Sequence, residues 1–411
     1  MDPRVPSRRQ AFGLAATMVV GATALTACSK AEPAQQQQPA NQRGEFGNQG
    51  RAAQPGPPPG SLDGNEVRSV LAGCSMPAEW APHERTIMGW PSAEGGWGPA
   101  QSGADGVVVV RKEIAELART IARFEPVVLC AMPDQVADAQ RMCGTSVEVV
   151  PIPVDDLWAR DTSPNFVTGP QGVTGIDFNF NAWGNRRDVV HDNRLSRRIL
   201  ERFGVRRVQA PIIAEGGALE VDGDGTLIAT ESSIVNDNRN FGRSRDQLEG
   251  LLRELLGVRK VIWLAGLRGK DSTDGHIDLI SRFIEPGVVV VSHSPDGAPS
   301  DLWTPVWEES RRVLASASDA AGRKLRVIDL YQADARKLGD HGPDLRTSYV
   351  NYYVCNGAVI VPAFGDEPAD ERALATLRDL HPGREAVAVN IRNFAEGGGG
   401  IHCATMQQPK L

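Results

Sequence analysis

Near its end the chain reads Gly397-Gly398-Gly399-Gly400-Ile401-His402-Cys403-Ala404-Thr405. Four glycines before a cysteine let backbone approach the thiol with no side chains in the way. A nucleophilic sulfur needs that setting. Three other segments carry ionisable groups: Trp158-Ala159-Arg160-Asp161, Glu215-Gly216-Gly217 and Thr273-Asp274-Gly275-His276-Ile277-Asp278. Together they offer a thiol, an imidazole and three carboxylates, a set suited to attack on the carbon of a guanidinium. That cation is planar, delocalised and always charged, and its carbon is a poor electrophile. Asp161 and Asp278 would hold it flat through bidentate hydrogen bonds. A thiolate at Cys403 would attack, its ionisation favoured by the cation beside it. On a strand, the two-residue spacing puts His276 and Asp278 on one face. His276 would protonate the departing ammonia and then deprotonate the water that hydrolyses a covalent thiouronium. Glu215 would orient His276 and raise its pKa. His402 is the other candidate base, but adjacent side chains of an extended chain point to opposite faces, which favours His276.

The scheme calls for no metal and no cofactor. No CxxC or other metal spacing links Cys74, Cys130, Cys143, Cys355 and Cys403, and five cysteines cannot all pair within one chain. Taken singly, each site residue has a plainer explanation. Asp161 suits a helix N-cap or a partner for Arg160, His276 a hydrogen-bonded loop histidine, and Glu215-Gly216-Gly217 a turn.

The elements that would position these groups repeat. Apolar hairpin candidates recur at 165–178, 218–230, 277–292 and 349–362, each with glycine at or near its turn. Helical patterns and short apolar strands follow: 243–256 with 260–264, 301–317 with 324–328, and 370–380 with 386–389. The N-terminal part supplies a fifth copy, with 85–90, a helix near 108–124, 126–131 and 147–154. Five strand–strand–helix–strand units predict a closed, propeller-like α/β ring with the functional segments at matching places.

The front of the chain reads as an address. Ser7-Arg8-Arg9 precedes an apolar run of small residues, Ala11 to Ala27, too short for a confident membrane span. It reads as a twin-arginine signal peptide. Leu25-Thr26-Ala27-Cys28 resembles a lipobox, making Cys28 the lipidated first residue of a membrane-tethered, extracytoplasmic protein. An ordinary cleaved signal is the alternative. Residues 29–68 hold Gln35-Gln36-Gln37-Gln38 and abundant Gly and Pro, expected as a disordered linker, and 69–411 as the catalytic domain. The net charge of −7 argues against nucleic acid and suits a cationic substrate.

These segments together resemble the agmatine deiminase family, in the guanidine-modifying superfamily that includes bacterial peptidylarginine deiminase. Further matching motifs are Met76-Pro77-Ala78-Glu79-Trp80, Met88-Gly89-Trp90-Pro91, Phe180-Asn181-Ala182-Trp183-Gly184 and Ser348-Tyr349-Val350-Asn351-Tyr352-Tyr353. The resemblance covers nearly all of 74–411. It implies a five-bladed α/β propeller (pentein) and hydrolytic deimination through Cys403. By position His276 is the acid/base, Asp161 and Asp278 bind guanidinium, and Glu215 supports the histidine. Trp90, Trp158 and Asn351 would line the substrate site, with propeller packing the competing role for Trp90. Two departures bear on the substrate. The acid that follows the Trp-Pro pair in agmatine-specific members is not in register here: either Glu94, displaced, meets the distal amine or the amine site is absent. Arg186-Arg187 would accept a carboxylate if the substrate were peptidyl or free arginine, and a solvated loop pair is the plainer alternative. Agmatine deimination leads. Peptidylarginine or free-arginine deimination is the enzyme alternative, and a non-catalytic receptor for cationic ligands is the other class.

Overall fold

In this computed structural model the described residues are 64–92, 97 and 106–411. The expected signal peptide, the lipidated Cys28, most of the linker and Glu94 lie outside them. The linker was expected to run to 68, but Gly64–Leu71 is helical. Val67, Val70 and Leu71 share one face at helical spacing and pack in the cluster that holds Leu248, Leu252 and Leu256.

The first strands are β1 (His83–Gly89), β2 (Val127–Cys130) and β3 (Val147–Val150). Then come β4 (Asn165–Gly169), β5 (Gly172–Asp177) and β6 (Arg206–Gln209), and β7 (Glu220–Val221), β8 (Thr226–Thr230) and β9 (Lys260–Leu264). The rest are β10 (Ser281–Glu285), β11 (Val288–His293), β12 (Arg326–Tyr331), β13 (Tyr353–Cys355), β14 (Ala358–Ala363), β15 (Glu385–Asn390) and β16 (Thr405–Pro409). They form five small sheets: β16-β1-β2-β3, β4-β5-β6, β7-β8-β9, β10-β11-β12 and β13-β14-β15. In each, an antiparallel pair is followed by a parallel strand, as β13, β14 and β15 illustrate.

Local chemistry explains the plan. Gly357 takes φ +79 in the turn between β13 and β14, a conformation that favours glycine. The middle strand β14, Ala-Val-Ile-Val-Pro-Ala, is buried along almost its whole length, which a continuous apolar run requires. A crossover helix then leads to the parallel strand. One such helix, Arg245–Leu256, starts on a capping box between Ser244 and Gln247 and stops at Gly257, φ +66. Those at Thr304–Ser316 and Glu367–Leu380 carry proline in the first turn.

The N-terminal unit departs from the expected repeat. Its first antiparallel strand is β16, from the opposite end of the chain, and Val147–Val150 is an added fourth strand. Thr405–Pro409 therefore closes the ring on β1, with Ile87 opposite Met406. Two further expectations fail locally. Ile277–Leu279 and Tyr349–Asn351 are 3-10 turns rather than strand starts.

Candidate active site

A short turn precedes the first strand of every sheet, and the site is built from these five turns. They are Ala159–Thr162, Gly216–Ala218, Ile277–Leu279, Tyr349–Asn351 and the turn at 401–404. Hydrogen bonds join neighbouring turns. Gly217 N–H donates to Asp161 Oδ1 at 3.0 Å, and Asn351 Nδ2 donates to the Asp278 carbonyl at 3.1 Å. His402 N–H donates to the Asn351 carbonyl at 3.1 Å, and Arg160 N–H to that of Cys403 at 3.0 Å. Each turn thus delivers its side chain to one place.

The structure brings together all five residues singled out for chemistry, each 6% exposed or less. Cys403 Sγ lies 3.4 Å from Asp278 Oδ2, to which the thiol donates, and accepts from Asn351 Nδ2 at 3.3 Å. His276 Nε2 is 3.3 Å from Glu215 Oε2, and its Nδ1 is 3.7 Å from Asp161 Oδ1. The strand argument for His276 and Asp278 fails, because Asp278 lies in the 3-10 turn Ile277–Leu279 and His276 immediately precedes it. They converge because this turn folds tightly around Gly217. A Cβ on Gly217 would lie 2.6 Å from His276 Nδ1, 2.9 Å from Asp161 Oδ1 and 3.0 Å from Asp278 Oδ2. The glycines before Cys403 act similarly, since a Cβ on Gly399 would meet Trp158 at 2.5 Å and Cys403 Sγ at 3.1 Å.

Electrostatics follow from burial and charge. Burial raises the Asp161 carboxyl, helped by Asp278 and Glu215 and opposed by His276 and the Trp183 N–H. Burial also raises Asp278, but His402, His276 and the Cys403 thiol outweigh it and leave Asp278 below its ordinary value. Burial lowers His276, yet Asp161 and Glu215 lift it to about 9, so it is protonated at neutral pH. Burial, then Asp278 and Asp161, push the Cys403 thiol well above its ordinary value. Among the five site residues, two buried atoms make no hydrogen bond: Asp278 Oδ1, an acceptor, and His276 Nδ1.

Partners that the sequence did not reveal hold these groups. Arg239 Nε donates to both oxygens of Glu215, and its Nη1 to Asp274 Oδ2. Trp183 Nε1 donates to Asp161 Oδ2 at 2.8 Å. It does so from a left-handed turn in which Ala182 and Trp183 take φ +56 and +53, costly backbone for non-glycine residues. The extended-chain argument about His402 also fails, because 401–404 is a turn. Its ring is occupied on both sides, Nδ1 at 2.8 Å from Asp278 Oδ2 and Nε2 at 2.8 Å from Glu79 Oε2. Glu79 opens a second buried charge cluster. It also faces Arg160 at 3.2 Å and Arg282 at 2.8 Å, and Arg282 pairs with Glu220 at 2.7 Å. Arg160 therefore partners Glu79, not Asp161.

The proposed substrate-binding residues divide. Asn351 touches Cys403, and Trp158 packs against Gly399. Trp97 lies tilted against Trp158, with ring centroids 6.1 Å apart, and donates to Asp156 Oδ1 at 3.0 Å. Trp90 is fully buried in the main apolar cluster with Arg111 over its ring. Arg186 is taken up by Asp274 at 2.6 Å and by the carbonyls of Asp271 and Ser272. Arg187 is 3.5 Å from Asp156 Oδ2. A cavity of about 370 Å³ touches the site at His276, with Trp303, Trp307 and Arg346 in its walls. The five described cysteines are all free. Among the described residues no group of three or more His, Cys, Asp and Glu is arranged to hold a metal.

A sequence profile of the Porphyromonas-type peptidyl-arginine deiminase family matches residues 75–409. An agmatine deiminase of Medicago truncatula is 37% identical over 378 residues, spanning 84% of this chain and 99% of its own. One from Stutzerimonas stutzeri is 39% identical over 361 residues, spanning 82% of this chain and 96% of its own. Among solved structures, the agmatine deiminase of Enterococcus faecalis superimposes with a TM-score of 0.76 at 29% identity, spanning 85% of this chain and 99% of that one.

Proposed function

Since the chain belongs to the Porphyromonas-type peptidyl-arginine deiminase family, and is a hydrolase of guanidino C–N bonds on a pentein propeller, we propose that its substrate is agmatine. The products are N-carbamoylputrescine and ammonia. One observation carries this reading: a buried thiol and an imidazole lie among Asp161, Glu215 and Asp278, whose Oδ1 has no donor. A guanidinium supplies the missing donors and the missing positive charge. The names of the relatives supply the amine-bearing substrate.

Cys403, His276, Asp161, Asp278 and Glu215 take the roles the residue chemistry assigns them. In the empty site the thiol keeps its proton, hydrogen-bonded to Asp278 Oδ2. A guanidinium between Asp161 and Asp278 offsets the two carboxylates that raise the thiol, so the cation favours the thiolate, and the thiol proton leaves by way of Asp278 Oδ2 to water. The Sγ–C bond forms, and His276 gives its proton to the departing nitrogen as the C–N bond breaks. The imidazole, now neutral, takes a proton from water as the O–C bond forms. The S–C bond breaks, the ureido oxygen loses its proton to water, the ureido product leaves and the thiolate is restored, to be reprotonated in the empty site. Asn351 steadies the sulfur through Nδ2. Glu215 steadies the imidazole and is itself fixed by Arg239.

The test is ammonia release from agmatine, free arginine and an arginine-containing peptide offered in parallel. Agmatine preference supports the reading. Peptide preference overturns the substrate and moves attention to Arg187, whose contact with Asp156, 3.5 Å, is longer than those of Arg186. Silence on all three would overturn the deiminase reading. The address is part of the same proposal: a twin-arginine signal and a lipid on Cys28 tether the enzyme outside the cytoplasm. Metabolic labelling with a palmitate analogue should mark the wild type and not Cys28→Ala. Equal labelling of both would sink the tether.

A further inference from the structure

His402 connects the two buried charge clusters, and the reaction scheme gives it no task. Its ring is 2% exposed. Nδ1 lies 2.8 Å from Asp278 Oδ2, and Nε2 lies 2.8 Å from Glu79 Oε2. The same Oδ2 accepts the Cys403 thiol at 3.4 Å, while Oδ1 has no partner. One ring therefore decides which oxygen of Asp278 faces the sulfur and which stays open. The ring cannot drift. The backbone N–H of His402 donates to the Asn351 carbonyl at 3.1 Å, and the His402 backbone carbonyl accepts Arg160 Nε at 3.2 Å. Glu79 is pinned in turn by Arg160, Arg282 and the Val354 N–H.

We propose that His402 is a positioning residue that fixes the rotamer of Asp278, holding Oδ2 toward the Cys403 thiol and presenting Oδ1 to the substrate guanidinium. The role rests on the deiminase reading and deepens it. A carboxylate that offers a single oxygen to the N–H edge of a planar cation needs a fixed plane, because rotation carries that oxygen out of line with the donor. The groups facing Asp278 are His402 and Cys403 from the 401–404 turn, His276 from its own segment, Asp161 from the turn before β4 and Asn351 from the turn before β13. Of these, His402 makes the shortest contact with its carboxylate.

Two conservative variants separate positioning from general support. In His402→Asn the amide nitrogen falls near the place of Nδ1 and can still donate to Asp278, but contact with Glu79 is lost. In His402→Gln the amide falls near Nε2 and keeps Glu79, but Asp278 is released. Steady-state ammonia release from agmatine would be followed across pH, with rates normalised to the Cys403 thiols alkylated by iodoacetamide. The Gln variant is expected to raise KM about tenfold or more, as loss of a hydrogen bond to a charged group does. The acid limb of its kcat/KM profile should move to higher pH, because an unsupported Asp278 protonates more readily. The Asn variant should keep the wild-type KM and limb. Equal KM and limb changes in both variants, or none in Gln, would overturn the role. If Gln fails to fold, Asn alone decides, since a KM shift there is the contrary result. A wild type that releases no ammonia would overturn the deiminase reading and this role with it. A wild type that turns over beside an unaffected Gln variant would overturn this role alone.

Discussion

Two charged clusters share the centre of this molecule, and they are built on opposite principles. In the cluster of Glu79, Glu220, Arg160 and Arg282, carboxylates and guanidiniums meet as pairs between 2.7 and 3.2 Å. Burial raises Glu79, yet Arg282, His402 and Arg160 bring it well below its ordinary value. In the site, by contrast, three carboxylates surround the His276 imidazole and of the three only Glu215 pairs with a guanidinium, that of Arg239, while Asp161 sits above its ordinary value and Asp278 Oδ1 finds no donor. The first cluster ties residues of several blades together and is complete. The second is left short of positive charge. A buried acid surplus is unfavourable in itself, and a cationic substrate relieves it. The same side-chain types thus serve as a structural lock when balanced and as a binding site when unbalanced.

Substitutions can break that contrast. The largest effect should come from Cys403→Ala, with turnover down at least about a thousandfold and substrate binding retained. Ammonia assays beside calorimetry would check it, and a surviving rate above about one per cent removes the nucleophile. Next is Arg282→Met, which leaves Glu79 and Glu220 facing an apolar side chain. Unfolding in denaturant should show a loss of about 3–5 kcal/mol. Asp161→Asn should behave oppositely, with stability unchanged or raised and KM increased about 10- to 100-fold. Comparable destabilisation in both variants would erase the distinction between lock and site. The smallest effect is a displacement of pH. His276 is lifted from 6.5 to about 9. Its proton-linked stabilisation is therefore complete below 6.5 and lost as pH rises through about 9. The alkaline limb of kcat/KM should fall there, and Glu215→Gln should move it downward by removing a group that raises the imidazole. An unmoved limb would mean that Glu215 does not tune His276.

Much of the site was legible because each blade begins with a short polar segment just before an apolar strand. Asp161, Glu215, His276 and Cys403 stand there with glycines or turn residues beside them. The repeat of hairpin, helix and strand was legible for the same reason. Closure of the ring was not. Thr405-Met406-Gln407-Gln408-Pro409 has little strand character of its own, and its strand state comes from pairing with β1. The 3-10 turns at Ile277–Leu279 and Tyr349–Asn351 were hidden because apolar runs continue through them into the strands. His402, Glu79, Arg239 and Trp183 were missed as partners because their contacts span long stretches of chain. The left-handed turn at Ala182-Trp183 has no propensity signal at all. It exists because Trp183 is bonded to Asp161 and Gly184 fits against Asn238.

The central claim is that the acid surplus receives a guanidinium for Cys403 to attack. The direct measurement is an acid quench of the wild type during turnover of agmatine, followed by mass analysis of the peptide carrying Cys403. The account predicts that this peptide gains the mass of agmatine less ammonia, and that Cys403→Ala shows neither adduct nor turnover. Ammonia released with Cys403 unmodified in the wild type, and undiminished in Cys403→Ala, would contradict it.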